Sequence, residues 1–172
     1  RIVTREADVS LDDPAWLIAR LRSALARRKR VGLPTQDGPA ATTGYRLLHA
    51  EGDDVPGLVI DRYGCDSEGR SGVAVVQVGT AGLRRRLDLV RTALQEVLAP
   101  DAVIDRTSPS VAQTEGFVVD PRLTFGAMPT ALSFRERGLK FELPLELGQK
   151  TGFYFDQRDL RAKIESLSKG AR

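Results

Sequence analysis

Apolar residues along this chain follow two rhythms, one of three- and four-residue steps and one of short continuous or alternating runs. Trp16, Leu17, Leu21, Ala24 and Leu25 fall on one face of a helix predicted from about Pro14 to Lys29, with Asp12-Asp13-Pro14 as its opening and Gly32 and Pro34 marking its end. Thr35 to Gly44 is a small-residue, turn-forming linker. Three strand-like runs follow, Tyr45 to Ala50, Leu58 to Tyr63 and Val73 to Val78, the first two joined by a Gly-, Asp- and Pro-bearing segment that suits a hairpin loop. Leu83, Leu87, Val90, Leu94 and Val97 then predict one amphipathic helix over Ala81 to Leu98, ended by Pro100.

Further strands are predicted at Ala102 to Asp105, Phe117 to Val119, Leu132 to Arg135 and Leu139 to Leu143, with Arg137-Gly138 as the turn between the last two. Three consecutive strands imply an antiparallel or mixed sheet, so the body reads as α+β: a linker helix and a mixed β-sheet covered by one main helix. Beyond Leu147 the pattern changes. Gly148 to Arg158 runs from a polar loop through Phe153, Tyr154 and Phe155 to an N-cap candidate, Asp156, and Leu160, Ile164 and Leu167 continue at helical spacing until Lys169-Gly170.

At 172 residues and 41% hydrophobic, the chain can bury one core without disulfides or a structural metal. Cys65 has no cysteine partner and His49 is the single histidine, so neither a disulfide nor a zinc site is expected, and a reducing, cytoplasmic setting fits. No run approaches the roughly 20 apolar residues of a membrane span. The sequence opens on Arg1-Ile2-Val3 without a methionine, its single methionine being Met128, which reads as a fragment boundary.

Net charge is a modest +3, from 26 Lys+Arg against 23 Asp+Glu, with a pI near 9.3. The distribution says more, since cations gather at Arg27-Arg28-Lys29-Arg30 and Arg84-Arg85-Arg86. For the first cluster a solvated helix end and contact with RNA phosphate are both open readings. The second falls near the predicted start of a helix, where the dipole disfavours cations, and phosphate contact is the better reading.

Neither a Gly-x-Gly-x-x-Gly turn nor a Walker loop occurs. His49, in a predicted strand between apolar neighbours, reads as packed rather than catalytic, and Cys65 as an incidental residue of an exposed turn beside Asp66. Asp53-Asp54 is accounted for by turn chemistry. In the terminal loop Lys150, Arg158 and Arg161 can meet a carboxylate or phosphate, and Phe153, Tyr154 and Phe155 can stack on a base or pack at a domain junction.

Two segments, Tyr45 to Gly64 and Gly148 to Arg158, resemble the large-subunit (23S) rRNA cytosine-C5 methyltransferases in content, order and spacing. The resemblance implies an N-terminal PUA domain, a central α/β domain with a strand-strand-helix-strand-strand core, and a C-terminal Rossmann-like domain that binds S-adenosylmethionine. It divides this chain into the end of the PUA domain with a linker helix (1–43), the central domain (44–147) and the start of the methyltransferase domain (148–172). It further implies that Lys150, Thr151, Gly152, Phe153, Asp156, Gln157 and Arg158 border the cofactor and target-base pocket. In such enzymes a cysteine thiolate adds to C6 of cytosine.

Cys65 matches no such position, so no catalytic residue is expected here and the chain alone is expected to be inactive. Val55 stands where the family usually has leucine, and Thr107 to Val111 departs from the commoner sequence after that strand. With rRNA as the implied partner, Arg27, Arg28, Lys29, Arg84, Arg85 and Arg86 are the phosphate-contact candidates. Two rivals stand beside this reading. One is a structural spacer or dimerisation module, which predicts an exposed apolar patch. The other is a guanine-methylating rRNA enzyme, whose terminal-loop motif is similar.

Overall fold

The computed structural model describes residues 9–147 and 151–168. Helix α1 (Ala15–Arg30) leads into β1 (Tyr45–His49), β2 (Leu58–Tyr63) and β3 (Val73–Val78); α2 (Ala81–Arg84) and α3 (Leu87–Leu98) cross over to β4 (Ala102–Asp105). Helix α4 (Pro109–Glu115) and the short β5 (Phe125–Gly126) follow, then the ribbon β6 (Ala131–Glu136) and β7 (Leu139–Pro144), and finally α5 (Arg158–Ser168). The main sheet has the order β1-β2-β3-β4-β5, antiparallel except for the parallel β3–β4 pair that the helical crossover demands. It is the mixed sheet that the run of strands implies.

Period-two alternation divides the central strands between two cores. Leu58 and Ile60 of β2 and Ala74, Val76 and Val78 of β3 face α1 and α3, which bring Leu17, Leu21, Ala24, Val90, Leu94 and Leu98. A bulge between Arg46 and Leu48 puts both Leu47 and Leu48 into that same core. On the opposite face Tyr63, Val75 and Ile104 meet Leu132 and Phe134 of the ribbon together with Phe155. Phe134 is the hub of that second core, with ring centroids 5.3 Å from Tyr63, 5.2 Å from Phe141, 5.0 Å from Phe153 and 5.7 Å from Phe155.

The ribbon is also pinned by its backbone. Thr43 and Gly44 N–H groups donate to the Arg135 carbonyl at 2.9 and 3.2 Å, and the Arg135 N–H donates to Thr43 Oγ1 at 2.9 Å. Gly44 lies flush against the hub, since a Cβ there would stand 2.1 Å from Phe134 Cδ2.

Five expectations are corrected. The predicted helix Ala81 to Leu98 breaks at Arg85 and Arg86, where Arg86 leaves helical geometry (φ −118°, ψ 33°), and Arg84 in the last turn of α2 turns inward to a buried carboxylate. Phe117 to Val119 forms no strand with the described residues: Ser108-Pro109 opens α4 instead, Gly116 closes it with φ +71°, and Val118 is exposed. His49 ends β1 with its side chain exposed, and Cys65 is buried rather than in an exposed turn. Asp156 falls inside a 3₁₀ turn, Phe155–Gln157, so α5 starts two residues later. Helix α1, read as a linker, adds its apolar face to the main core; the expected stop at Lys169-Gly170 lies outside the described residues.

Substituting Gly44→Ala is expected to force the Phe134 ring aside and destabilise the chain by about 1–3 kcal/mol, the usual penalty of overpacking, measured by urea denaturation. An unchanged midpoint would mean that the ribbon is not held against this glycine.

Candidate functional site

Four buried carboxylates organise the polar interior. Asp53, in the turn after β1, accepts from Arg27 Nη2 at 2.8 Å, Arg28 Nη2 at 2.7 Å and the His49 backbone N–H at 2.7 Å. Burial by itself pushes the Asp53 carboxyl up, but the bonds from Arg28, Arg27 and His49 outweigh it and hold it below the ordinary carboxylate range. Asp61 of β2, fully buried, takes both arms of Arg46, its register partner on β1, at 2.8 and 2.9 Å. Those bonds raise the Arg46 pKa against the opposing effect of burial, with Asp156 contributing further.

Glu136 at the end of β6 accepts from Arg158 Nε at 3.3 Å and from Arg161 Nε and Nη2 at 2.6 and 2.8 Å. Asp105 of β4 lies 2.6 Å from Arg84 Nη1, but the atoms are not aligned as a hydrogen bond, so attraction between the charges carries that contact; Phe117 stacks on the same guanidinium at 5.1 Å. Arg62 is different. It is fully buried on the helix side of β2, donates among the described residues only to the Ser71 carbonyl, and burial lowers its pKa. Burial also raises the thiol of neighbouring Cys65, whose Sγ faces the Thr43 carbonyl at 3.5 Å. A protonated, enclosed thiol of this kind is a poor nucleophile.

The terminal loop is threaded through this network. Thr151 is buried, with its Oγ1 3.5 Å from Arg46 Nη2 and its carbonyl accepting from the Tyr63 hydroxyl at 3.1 Å. Gly152 has φ +124°, and a Cβ there would come within 3.1 Å of both Tyr63 Oη and Leu132, so glycine is required on conformation and on space. Phe153 and Phe155 pack into the second core, while Arg161 lies 4.3 Å over the Phe153 ring and donates to the Tyr154 carbonyl. Arg158 also donates to the Gly44 carbonyl at 3.0 Å.

Of the seven pocket-border residues, then, Thr151, Gly152, Phe153 and Arg158 are turned into the chain, Asp156 and Gln157 face solvent, and Lys150 lies outside the described residues. A cleft of about 330 Å³ opens where the loop crosses β1, lined by Arg28, Tyr45, Arg46, His49, Asp156 and Arg158. It brings the terminal motif and the end of α1 to one place, which the linear sequence does not reveal. Among the described border residues, Asp156 and Gln157 are the two left facing outward at the cleft's end of the loop.

The six phosphate candidates are graded by what already holds them. Arg84 is buried, and Arg27 and Arg28 are committed to Asp53. Lys29 with Glu68 and Arg86 with Asp12 form outer ion pairs on mostly exposed acids, which exchange readily with solvent. Arg85 is exposed, and its side chain has no partner among the described residues. The carboxylates at Asp61, Asp105 and Glu136 escaped the sequence reading, although charged residues inside otherwise apolar runs were the available signal.

No protein-family model matches the chain. It is 40% identical over its whole length to a ribosomal RNA large subunit methyltransferase of Deinococcus radiodurans, covering 41% of that protein. Ribosomal RNA large subunit methyltransferases I of Alteromonas mediterranea and Yersinia pseudotuberculosis match at 33% and 34%, across 99% and 100% of the chain and 40% of each relative.

Over its full length the chain is a homologue of ribosomal RNA large subunit methyltransferases.

It spans about two fifths of the length of these relatives. The fold recurs in a protein described as a methyltransferase and crystallised with SAH, with TM-score 0.67, 21% identity, and coverage of 91% of this chain and 36% of that one. It recurs also in a protein of Streptococcus mutans described as a SAM-dependent methyltransferase, with TM-score 0.66, 20% identity, and coverage of 95% and 38%. No helix among the described residues is long and apolar enough to cross a membrane, and they contain no cluster of three or more His, Cys, Asp or Glu fit to hold a metal ion.

Because the Asp53 pKa is depressed on folding, its contribution is present above the unfolded value near pH ~4 and is lost as pH falls through the folded value. Asp53→Asn is expected to cost about 3–5 kcal/mol at neutral pH, the usual effect of breaking a buried pair. It should also flatten the loss of stability below pH ~4 in urea titrations. An acid limb as steep in the variant as in the parent would assign that loss to other groups.

Proposed function

We propose that this chain is the RNA-positioning and bracing portion of an S-adenosylmethionine-dependent rRNA methyltransferase, with cytosine C5 of 23S rRNA as the methylated position. The end-to-end match to a rRNA methyltransferase of which the chain spans 41% carries this reading. The divisions at 43/44 and 147/148, the entering PUA segment and the following S-adenosylmethionine domain belong to the same proposal. The cysteine nucleophile is then supplied outside this chain, since Cys65 is buried and protonated.

Bracing is supported by α5. Leu160, Ile164 and Leu167 lie on one face of that helix at 53%, 55% and 74% exposure, and α5 buries none of its described residues. Such a stripe suits a further domain of the same protein packed upon it. The Arg158 and Arg161 grip on Glu136 would fix the direction in which α5 leaves the sheet. Asp156 and Gln157 would then form the rim of the pocket, and Lys150 belongs to the same proposed border.

Among the phosphate candidates Arg85 is the primary contact, with Lys29 and Arg86 able to exchange their acids for phosphate, and Arg27, Arg28 and Arg84 supporting the surface from within. Purified chain is expected to bind 23S rRNA with an affinity that falls as salt rises, and Arg85→Ala should lower the slope of log K against log salt by about 0.7–0.9. A salt-independent interaction would reject phosphate contact and favour the spacer reading.

The chain alone is expected to transfer no labelled methyl group from S-adenosylmethionine to 23S rRNA. Transfer would place the catalytic centre within these residues. Reaction of the longer protein at guanine rather than cytosine, read from the modified nucleotide, would replace the target base and leave the bracing role standing.

A further inference from the structure

The outward face of the β6–β7 ribbon carries an arrangement that neither packing nor ion pairing explains. Leu132, Phe134 and Glu136 of β6 point into the second core or its buried ion pair, so Ser133 and Arg135 point away. On β7 the same alternation turns Lys140 and Glu142 outward. The register places Arg135 directly opposite Lys140, and neither side chain has an ion-pair or hydrogen-bond partner among the described residues. Like charges directly opposed across a ladder repel, so this pair does nothing for the ribbon itself.

Many of the chain's arginines are paired with acids, often inside the protein, whereas here two cations face each other. Glu142 sits opposite Ser133, one pair along, and lies more than an ion-pair distance from either cation. The Arg135 backbone is fixed on both sides, its carbonyl accepting from Thr43 and Gly44 and its N–H donating to Thr43. Its cation is therefore presented from a rigid base. An open cleft of about 480 Å³ adjoins the pair, with Gln36, Thr43 and Ser133 on its walls as neutral hydrogen-bonding groups and Glu142 as a carboxylate on the same lining; Gln36 Nε2 already donates to the Cys65 carbonyl at 2.8 Å, which leaves its second N–H and its amide oxygen for a ligand.

We propose that this face is a phosphate-binding surface on which Arg135 and Lys140 together clamp the backbone of an RNA strand, with Ser133 and Gln36 bonding to phosphate or ribose oxygens. Cross-strand side chains start about 4.5–5.5 Å apart at Cβ, so both cations reach one phosphate or two successive ones. Arg and Lys contacts to phosphate oxygens position a strand without reading its sequence. The inference rests on the rRNA reading above and adds to it a surface remote in sequence from both arginine clusters.

The test uses the 172-residue chain and a 23S rRNA transcript in filter binding across a salt series. Arg135→Ala combined with Lys140→Ala is expected to lower affinity about tenfold near 0.1 M salt and to reduce the slope by about 1.4–1.8, two phosphates' worth. Arg135→Lys with Lys140→Arg should retain most of the slope. Melting temperature of the double alanine variant should be unchanged or higher, since a repulsion is removed.

Parent-like binding by the double alanine variant would overturn the ribbon surface while leaving the rRNA reading intact. A lowered melting temperature with lost binding would make the pair structural and overturn it as well. Absence of any rRNA binding by the parent chain would remove the reading and this inference together.

Discussion

A carboxylate taken out of water must be neutralised or paired, at a cost of several kcal/mol if it is not. Asp53, Asp61, Asp105 and Glu136 are all buried, and each is met by at least one arginine. These pairs join pieces that are distant along the chain: the end of α1 to the turn after β1, α2 to β4, and the terminal helix to the ribbon. The apolar cores supply the stability, and the ion pairs set how the helices and the terminal loop sit on the sheet. Partial commitment is not an option for such a pair, because removing one member leaves the other charged and enclosed.

This constraint governs function as well. An arginine held by a buried acid is not free to meet RNA, so a count of cations along the sequence overstates the basic surface. Among the outward cations without an acid partner in the described residues are Arg85 at the break between α2 and α3, and Arg135 with Lys140, which alone face each other across a ladder pair of the described strands. The aromatic residues of the terminal loop are spent in a comparable way. Phe153 and Phe155 close the second core, and among the three rings Tyr154 alone is exposed. The loop thus acts first as a strap across the sheet, with Asp156 and Gln157 on its outer side.

Much of this architecture was legible in the sequence because period and burial agree. β2, β3 and β4 run over the same residues that their apolar runs mark, and the Arg137-Gly138 turn falls between β6 and β7. Failures came where a local signal was outweighed by a distant partner. The pattern from Leu83 to Val97 is continuous, yet Arg84 is drawn toward Asp105, a residue 21 positions away that no window includes. Phe117 to Val119 has strand-forming residues but lies just past the α4 cap, and Pro109 and Gly116 already bounded a helix on either side of Val111. For the site, the terminal loop stood out by composition. Its contacts with Tyr63, Arg46 and Glu136 depend on tertiary proximity, which spacing does not encode.

The division between enclosed and outward arginines can be read directly from Nε–H signals in proton–nitrogen NMR spectra of the chain, free and with added RNA. Arg28, Arg46, Arg84 and Arg161 should give dispersed, slowly exchanging signals that RNA leaves in place, while those of Arg85 and Arg135 exchange quickly when free and shift on binding. Uniformly fast exchange, with RNA moving Arg28 and Arg84 as strongly as Arg135, would contradict the division on which the whole interpretation stands.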